Sequence, residues 1–237
     1  AQQDKKPRKK KKPKVKRTKW DDMDIGSFQA YGLEVPEGKG IWRPALKGLN
    51  IRVGPNLEAA VCYDTERMRL AAGWAGGFLK LPTGRDGLQG VPQPVGQILY
   101  RTRMTPGWAS PKGEWESPRP PTIKDKDVYS FGPLPREWAR WRGHYRAGQR
   151  VVLSYTVGNT EVLEMPAYDP AVGGIFIRWF EVAKADQKRV QHMLVAEEIG
   201  GDGEEHEGGF SARLEKDGMV TSATVLLRQN IHDPHHS

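Results

Sequence analysis

Short apolar segments separated by turn residues run through this chain from residue 20 onward. The 237 residues include 27 glycines and 18 prolines, and turn residues interrupt the apolar runs at intervals of about ten residues. Runs this short fit β-strands, whereas long helices need longer periodic patterns. The sequence therefore predicts a mainly all-β fold, an antiparallel β-sandwich or partial barrel with long Pro/Gly-rich loops.

Residues 41–81 predict a three-stranded meander. The segments LKGLNIRVG, PNLEAAVCYD and RMRLAAGWAGGFLKL each contain one strand, with turns at Pro55-Asn56 and at residues 64–67. We expect Trp74, set among glycines in the least polar stretch, to be buried in the core. We expect Cys62 to be a small core residue. A ligand platform at Trp74 is the alternative.

A second group of strands is predicted in the C-terminal part of the chain. The strands RVVLSYTV and TEVLEMP flank a hairpin turn at Gly158-Asn159. The remaining segments are predicted as strands at residues 173–183 and 190–198, an acidic Gly-rich loop at 200–209, and a closing hairpin with its turn at 216–219.

Residues 82–135 interrupt this pattern with a long irregular excursion that contains ten prolines. Residues 98–104 predict one strand in its middle, and Trp108 and Trp115 are expected to be exposed. Loops of this length are typical of functional or disordered segments.

A basic arm precedes the β-rich body. Residues 1–19 hold eleven Lys or Arg and one acid, and removing them from the totals of 37 and 29 leaves 26 and 28, a body charge of −2. Such a run cannot bury enough apolar surface to fold alone, so we expect a disordered arm at 1–19 and a single domain at 20–237. The arm residues expected to bind an anionic surface are Lys9, Lys10, Lys11, Lys12, Lys14, Lys16 and Arg17.

Aromatic and basic residues at 138–146 form the best candidate binding patch of the body. Trp138, Trp141 and Tyr145 are spaced i, i+3 and i+7, which would align them on one face of two helical turns. Such a stripe usually packs into a core, and we favour that interpretation. The alternative is a stacking surface for sugar or nucleobase rings, with Arg142 contacting anionic groups.

No complete catalytic, metal or cofactor motif occurs in the sequence. A nucleophile elbow, a phosphate loop and a dinucleotide fingerprint are all absent, and no apolar run is long enough to cross a membrane. Glu161 and Glu164 lie three apart on one strand, so they are expected to face opposite sides. We therefore predict no catalytic residue, no cofactor and no metal site, and an enzyme is disfavoured.

Two stretches of the chain contain distinctive motifs. Ala-Ala-Gly-Trp and Gly-Gly-Phe occur in the first, GLNIRVGPNLEAAVCYDTERMRLAAGWAGGFLKL, and Tyr-Arg-x-Gly occurs in the second, GPLPREWARWRGHYRAGQRVVLSYTVGNTEVLE. Over residues 40–200 the chain resembles an uncharacterised domain of large exported bacterial proteins. In those proteins the domain often accompanies propeller-type dehydrogenase modules and a haem c attachment module. The resemblance implies a periplasmic or secreted location and transfers no catalytic residue. The chain has no Cys-x-x-Cys-His, so it cannot attach haem c covalently.

An Ala-Gln-Gln start, typical of the sequence left after removal of a secretory signal, also favours export.

Three functions are compatible with these features. The first is a noncatalytic interaction module of an exported multidomain or multisubunit assembly, whose arm docks on acidic protein partners or an anionic polymer. The second is a nucleic-acid-associated protein, and the third is a carbohydrate-binding or carbohydrate-active protein with its site in the excursion. The nucleic-acid hypothesis ranks below the interaction module. A nucleic-acid binder commonly extends its basic surface onto the folded domain, whereas the body of this chain has a net negative charge.

Deleting residues 1–19 should sharply weaken binding to an anionic partner and flatten its salt dependence, because the arm holds the concentrated charge of the chain. The melting temperature should stay nearly unchanged. Elution from a heparin column across a salt gradient and a thermal melt measure the two effects. A large fall in melting temperature would contradict this prediction, because it would show that the arm packs into the fold.

Overall fold

The computed structural model describes residues 23–82, 89–116, 132–183, 191–195, 202–206, 209–216 and 219–226. These residues form sixteen β-strands and one short 3-10 helix, and they contain no α-helix. The strands are β1 Phe28–Ala30, β2 Leu33–Glu37, β3 Gly40–Ala45, β4 Gly48–Val53, β5 Ala59–Asp64, β6 Arg69–Ala75, β7 Leu79–Lys80, β8 Gln93–Pro94, β9 Gln97–Arg101, β10 Ala139–Ala147, β11 Arg150–Val157, β12 Thr160–Asp169, β13 Ile175–Val182, β14 Asp202–His206, β15 Gly209–Lys216 and β16 Met219–Leu226.

The strands pair into antiparallel sheets, and among the described strands no sheet closes into a barrel. A five-stranded sheet has the order β1-β4-β5-β6-β9, and a four-stranded sheet has the order β10-β11-β12-β13. Smaller sheets are formed by β14-β15-β16, by β2-β3 and by β7-β8. The predicted antiparallel, sandwich-type all-β fold is therefore confirmed.

The five-stranded sheet is the central layer of the body. All six residues of β5 are buried, as expected for a continuous apolar strand that is covered on both faces. The predicted meander is confirmed as β4, β5 and β6, joined by turns at the expected positions.

One face of the central sheet packs against the four-stranded sheet. The alternating pattern of β11 buries every second residue, so Val151, Leu153 and Tyr155 face the core. They meet Leu49, Ile51 and other residues of the central sheet in one apolar cluster. These two layers form the sandwich, because each hides one apolar face from water.

The opposite face of the central sheet is covered by the β2–β3 hairpin and the segment around β7. Trp74 is fully buried there, and its indole Nε1 donates a hydrogen bond to the carbonyl of Phe78 at 2.9 Å. Cys62 lies in the same cluster as a buried free thiol. Both expected core placements are confirmed.

Four expectations about local structure are wrong. The acidic segment at 200–209 contains strand β14, because residues 202–206 pair with β15. Residues 191–195 form no full strand and make only one bridge, between Met193 and Trp108. Trp108 is buried rather than exposed, because that bridge holds it over the sandwich core. The helical spacing considered for residues 138–146 is also wrong, since the segment forms β10.

The predicted strand at residues 98–104 corresponds to β9, and Trp115 is half-buried. The basic arm and its seven candidate residues lie outside the described residues.

Gly73 of β6 permits the close approach of the two sandwich layers. A β-carbon at this position would lie 2.8 Å from the ring of Phe176 on β13. Replacing Gly73 by alanine should lower the free energy of unfolding by about 1–3 kcal/mol, because the ring must shift within a packed core. Chemical denaturation measures this change.

Gly40 provides the matched control for this prediction. A β-carbon at Gly40 would lie 3.6 Å from the nearest atom, which is an ordinary contact. Gly40→Ala should change the stability by less than about 0.5 kcal/mol. Equal losses in the two variants would show that close contact between the layers is not the cause.

Candidate functional site

Strand β10 carries most of the candidate patch of the body. Its pairing with β11 shifts register between Trp141 and Gly143, so Arg142 has no partner in the ladder. This bulge places both Trp141 and His144 on the inner face of the sheet. Without the shift, two residues three apart would face opposite sides.

The four candidate residues of the patch occupy different environments. Trp138 is buried, and its Nε1 donates a hydrogen bond to the carbonyl of Trp108 at 2.8 Å. Trp141 is half-buried, with its ring centroid 5.8 Å from that of Tyr63. Arg142 is exposed, and Tyr145 is 61% exposed on the outer face of the sheet. Core packing is confirmed for Trp138 and is wrong for Tyr145, so these residues do not form one site.

A surface cleft opens where β10 approaches the edge of the central sheet. Its volume is about 570 Å³, and its wall includes Tyr31, Lys47, Trp141 and His144. The His144 ring packs edge-on against Phe28 of β1, with the ring centroids 4.5 Å apart. This volume lies in the range typical of ligand-binding sites.

A second, smaller cleft adjoins the first. It has a volume of about 340 Å³ and is lined by Glu34, Lys80, Gln93 and neighbouring residues. Val91 lines both clefts. At their junction Arg43, which lines the first cleft, forms an ion pair with Glu34 at 2.9 Å. We call these two neighbouring clefts together the groove along the β2–β3 hairpin.

The outer face of the four-stranded sheet is apolar and uncovered by described residues. Tyr145 lies opposite Val152, and Trp179 lies opposite Met165. Trp179 is 55% exposed and Ile175 is 50% exposed. Other outward residues of the face are Leu163, Ala167 and Ile177. Several large apolar side chains in one patch are typical of a surface that contacts another molecule.

Charged residues border this apolar face unevenly. The arginines lie on the β10–β11 side, where Arg140, Arg142 and Arg150 are exposed; Arg146 is exposed as well but lies opposite Val151, on the inner face of the sheet. None of the four forms an ion pair with the described residues, and Arg146 Nε donates to the carbonyl of Gly148. The acids lie on the other two strands, where Glu161 and Glu181 are exposed. The arginine side of the face therefore favours an acidic partner surface.

A buried polar chain crosses the interior of the sandwich. Glu164 of β12 is fully buried, accepts a hydrogen bond from the Tyr155 hydroxyl at 2.8 Å, and pairs with Arg178 Nε at 2.6 Å. The indole Nε1 of Trp108 donates to the Tyr155 hydroxyl at 3.2 Å. The expected opposite orientation of Glu161 and Glu164 is confirmed, since Glu161 is exposed.

Electrostatics keep Arg178 and Tyr155 of this chain in fixed protonation states. Burial acts to lower the pKa of Arg178, but the Glu164 carboxylate outweighs it and raises that pKa, so the guanidinium stays charged. Burial and the same carboxylate raise the pKa of Tyr155, so its hydroxyl stays protonated. A substrate has no access to a fully buried carboxylate, and we assign these residues a structural role.

A second buried cluster joins the β5–β6 turn to the neighbouring strands. Asp64 accepts hydrogen bonds from the backbone N–H groups of Glu66 and Arg67, and its carboxylate lies 3.4 Å from Arg69 Nε. Arg69 also donates to Thr102 Oγ1 at 2.7 Å. Burial raises the pKa of Asp64 despite the two nearby arginines. Burial likewise raises the pKa of the Cys62 thiol, so it stays neutral and unreactive.

Both buried clusters and the groove were not predicted from the sequence. Alternation along β12 was a signal for Glu164, because it lies two residues from the buried Val162 and therefore on the same face. The groove had no such signal, because its walls come from distant parts of the chain. The described residues contain no group of three or more acidic, His or Cys side chains placed to hold a metal ion. They also contain no helix that is long and apolar enough to span a membrane.

Comparison with known proteins finds one similarity. Residues 61–164 match the family model of DUF6797, a domain of unknown function. The matched residues run from β5 into β12, so they include strands of both sandwich layers. No curated protein and no solved structure matches the chain. The resemblance to an uncharacterised domain is thus supported for 61–164, while an association with dehydrogenase or haem modules stays a prediction.

Replacing Glu164 by glutamine should lower the free energy of unfolding by about 3–5 kcal/mol, because Arg178 would keep a charge inside the fold without its counter-charge. Equilibrium unfolding in urea measures the loss. The double variant Glu164→Gln/Arg178→Met should lose less free energy of unfolding than the single variant, because it also removes the charge that the single variant leaves without a counter-charge.

The exposed pair Arg101–Glu37, with 2.8 Å between Nη2 and Oε1, is the matched control for this prediction. Glu37→Gln should cost no more than about 1 kcal/mol, since water screens that pair. A double variant as unstable as Glu164→Gln would contradict the proposed cause.

Proposed function

We propose that this chain is a noncatalytic protein-interaction module, and that the outer face of the four-stranded sheet docks on another protein. The partner surface has an apolar centre and an acidic border. In this proposal the module belongs to an exported multisubunit assembly, and the basic arm adds contacts to the acidic border.

The apolar face that no described residue covers carries the proposal. Trp179 and Tyr145 are more than half exposed on the same face of one sheet. Burying large aromatic side chains at an interface releases water from apolar surface, and such residues often dominate binding energy. An isolated domain gains nothing from exposing them.

Charge supports the choice of partner. The exposed arginines beside Tyr145 form no ion pairs with described residues, so an acidic partner surface supplies a complement that the described part of the chain does not. Long-range attraction of this kind raises the association rate more than the affinity. The basic arm and this arginine border favour the same class of partner.

Site-specific photo-crosslinking tests the proposal. The full chain carries a benzoylphenylalanine at position 179, 145 or 41 and is irradiated in an extract of the source cells. Positions 179 and 145 should crosslink to the same protein. Position 41 should not, because Ile41 is 48% exposed but lies on β3, away from the sheet face.

Titration with the purified crosslinked protein then measures the contribution of the face. Trp179→Ser should raise the Kd at least about tenfold, a loss of about 1.4 kcal/mol. Ile41→Ser should leave the Kd within a factor of about two. The proposal fails if both variants bind equally, if position 179 crosslinks only to this same chain, or if it crosslinks to nucleic acid.

A further inference from the structure

We propose that the groove along the β2–β3 hairpin binds a neutral oligosaccharide chain. This site is separate from the outer sheet face, since Trp141 and His144 line the groove while Tyr145 faces the opposite side of the same strand. The inference therefore does not depend on the docking proposal.

Aromatic rings line the larger part of the groove. Tyr31 is 50% exposed at the wall of the cleft, and Trp141 is held against Tyr63. A pyranose ring has an apolar C–H face, which stacks on an aromatic ring, and a polar edge of hydroxyl groups. The contact of Trp141 with Tyr63 and of His144 with Phe28 fixes two of these rings before a ligand arrives. Such pre-organisation reduces the entropy lost on binding.

Paired charges supply donors and acceptors for hydroxyl groups. Arg43 is paired with Glu34 at the junction of the clefts, and Lys47 is paired with Glu66 at 3.1 Å. Each cation keeps further N–H donors, because a guanidinium has five and an ammonium has three. Since both of these cations already have a carboxylate, the first cleft gains little from a free anion. A donor beside an acceptor matches vicinal hydroxyl groups, which both donate and accept.

The second cleft also offers hydrogen-bonding groups to a sugar chain. Gln89, Gln93 and Lys80 line it, and their amides and ammonium offer both types of hydrogen-bonding group. Because Val91 lines both clefts, the two clefts are neighbours, and a linear chain of sugar rings that occupied both would pass over Val91 from the aromatic part to the amide part. Two neighbouring clefts fit an oligosaccharide better than one small molecule.

The cleft is shaped by close backbone contacts. A β-carbon on Gly48 would lie 2.7 Å from the carbonyl oxygen of Tyr31, and one on Gly32 would lie 2.9 Å from that of Leu46. Thr65 Oγ1 donates to the carbonyl of Lys47 at 2.8 Å and holds the β3–β4 turn in place. The wall that carries Tyr31 and Lys47 is therefore rigidly positioned.

Calorimetric titration of the full chain tests the inference. The ligands are neutral hexasaccharides of glucose, xylose, mannose and N-acetylglucosamine, their disaccharides, a hexauronate and an acidic hexapeptide. At least one neutral hexasaccharide should bind, more tightly than its disaccharide, with little change between low and high salt. No binding of any neutral hexasaccharide at millimolar concentration overturns the inference. Binding of only the hexauronate or the peptide, with strong salt dependence, overturns it as well.

Matched variants locate the site. Tyr31→Ala should raise the Kd for the hexasaccharide about tenfold, because it removes an exposed stacking ring. Tyr145→Ala, on the outer face of the sheet, should leave it unchanged. Gln93→Ala should weaken binding of the hexasaccharide but not binding of the disaccharide.

A thermal melt of each variant separates loss of binding from loss of fold. An unchanged Kd for the hexasaccharide in the folded Tyr31→Ala variant would overturn the assignment of this groove. An equal loss of affinity in Tyr31→Ala and Tyr145→Ala would overturn it as well.

Discussion

Burial of the central sheet on both faces is the constraint on which the other layers depend. A strand such as AAVCYD has no polar side, so each face needs a cover if its apolar side chains are to leave water. The four-stranded sheet covers one face, and the β2–β3 hairpin with the β7 segment covers the other. The chain therefore needs three layers, and the groove lies where the edges of all three meet.

The buried ion pair inside the sandwich sets the orientation of the outer face. Glu164 lies opposite Phe180, and Arg178 is two residues away on the same side of β13. Shifting β13 by one residue would move Arg178 outward and leave Glu164 alone in the core, at a high cost. The pair thus fixes the register that turns Trp179 toward solvent. A polar contact in the core determines which apolar residues are available outside.

Local patterns in the sequence were sufficient for much of this fold. Turn residues at Pro55-Asn56 and Gly158-Asn159 marked real turns, and the small residues around Trp74 indicated its burial. The failures involve residues whose environment comes from far along the chain. Trp108 looked exposed among prolines, but Tyr155, which is 47 positions away, receives its indole hydrogen bond.

The candidate sites were harder to predict than the strands because they arise from assembly. The segment 138–146 was singled out as a candidate patch from its aromatic and basic residues, and its i, i+3, i+7 spacing indicated a helical face, whereas the segment forms strand β10. In a regular strand, the three-residue separation of Trp141 and His144 would have placed them on opposite faces. Only the bulge brings them together, and a bulge is not visible in residue periodicity.

That bulge links the two proposed surfaces in one strand. At Gly143 the backbone has a φ of 143°, which glycine adopts readily and other residues rarely do. The extra residue, Arg142, lets the strand present Trp141 and His144 to the groove and then Tyr145 to the outer face. If the same sequence formed a regular strand in which Arg142 took a place in the ladder, His144 would point outward and Tyr145 into the sandwich, and the aromatic side chains would exchange surfaces. One irregular position in β10 therefore decides how aromatic area is divided between the groove and the docking face, and the chemistry of both surfaces depends on it.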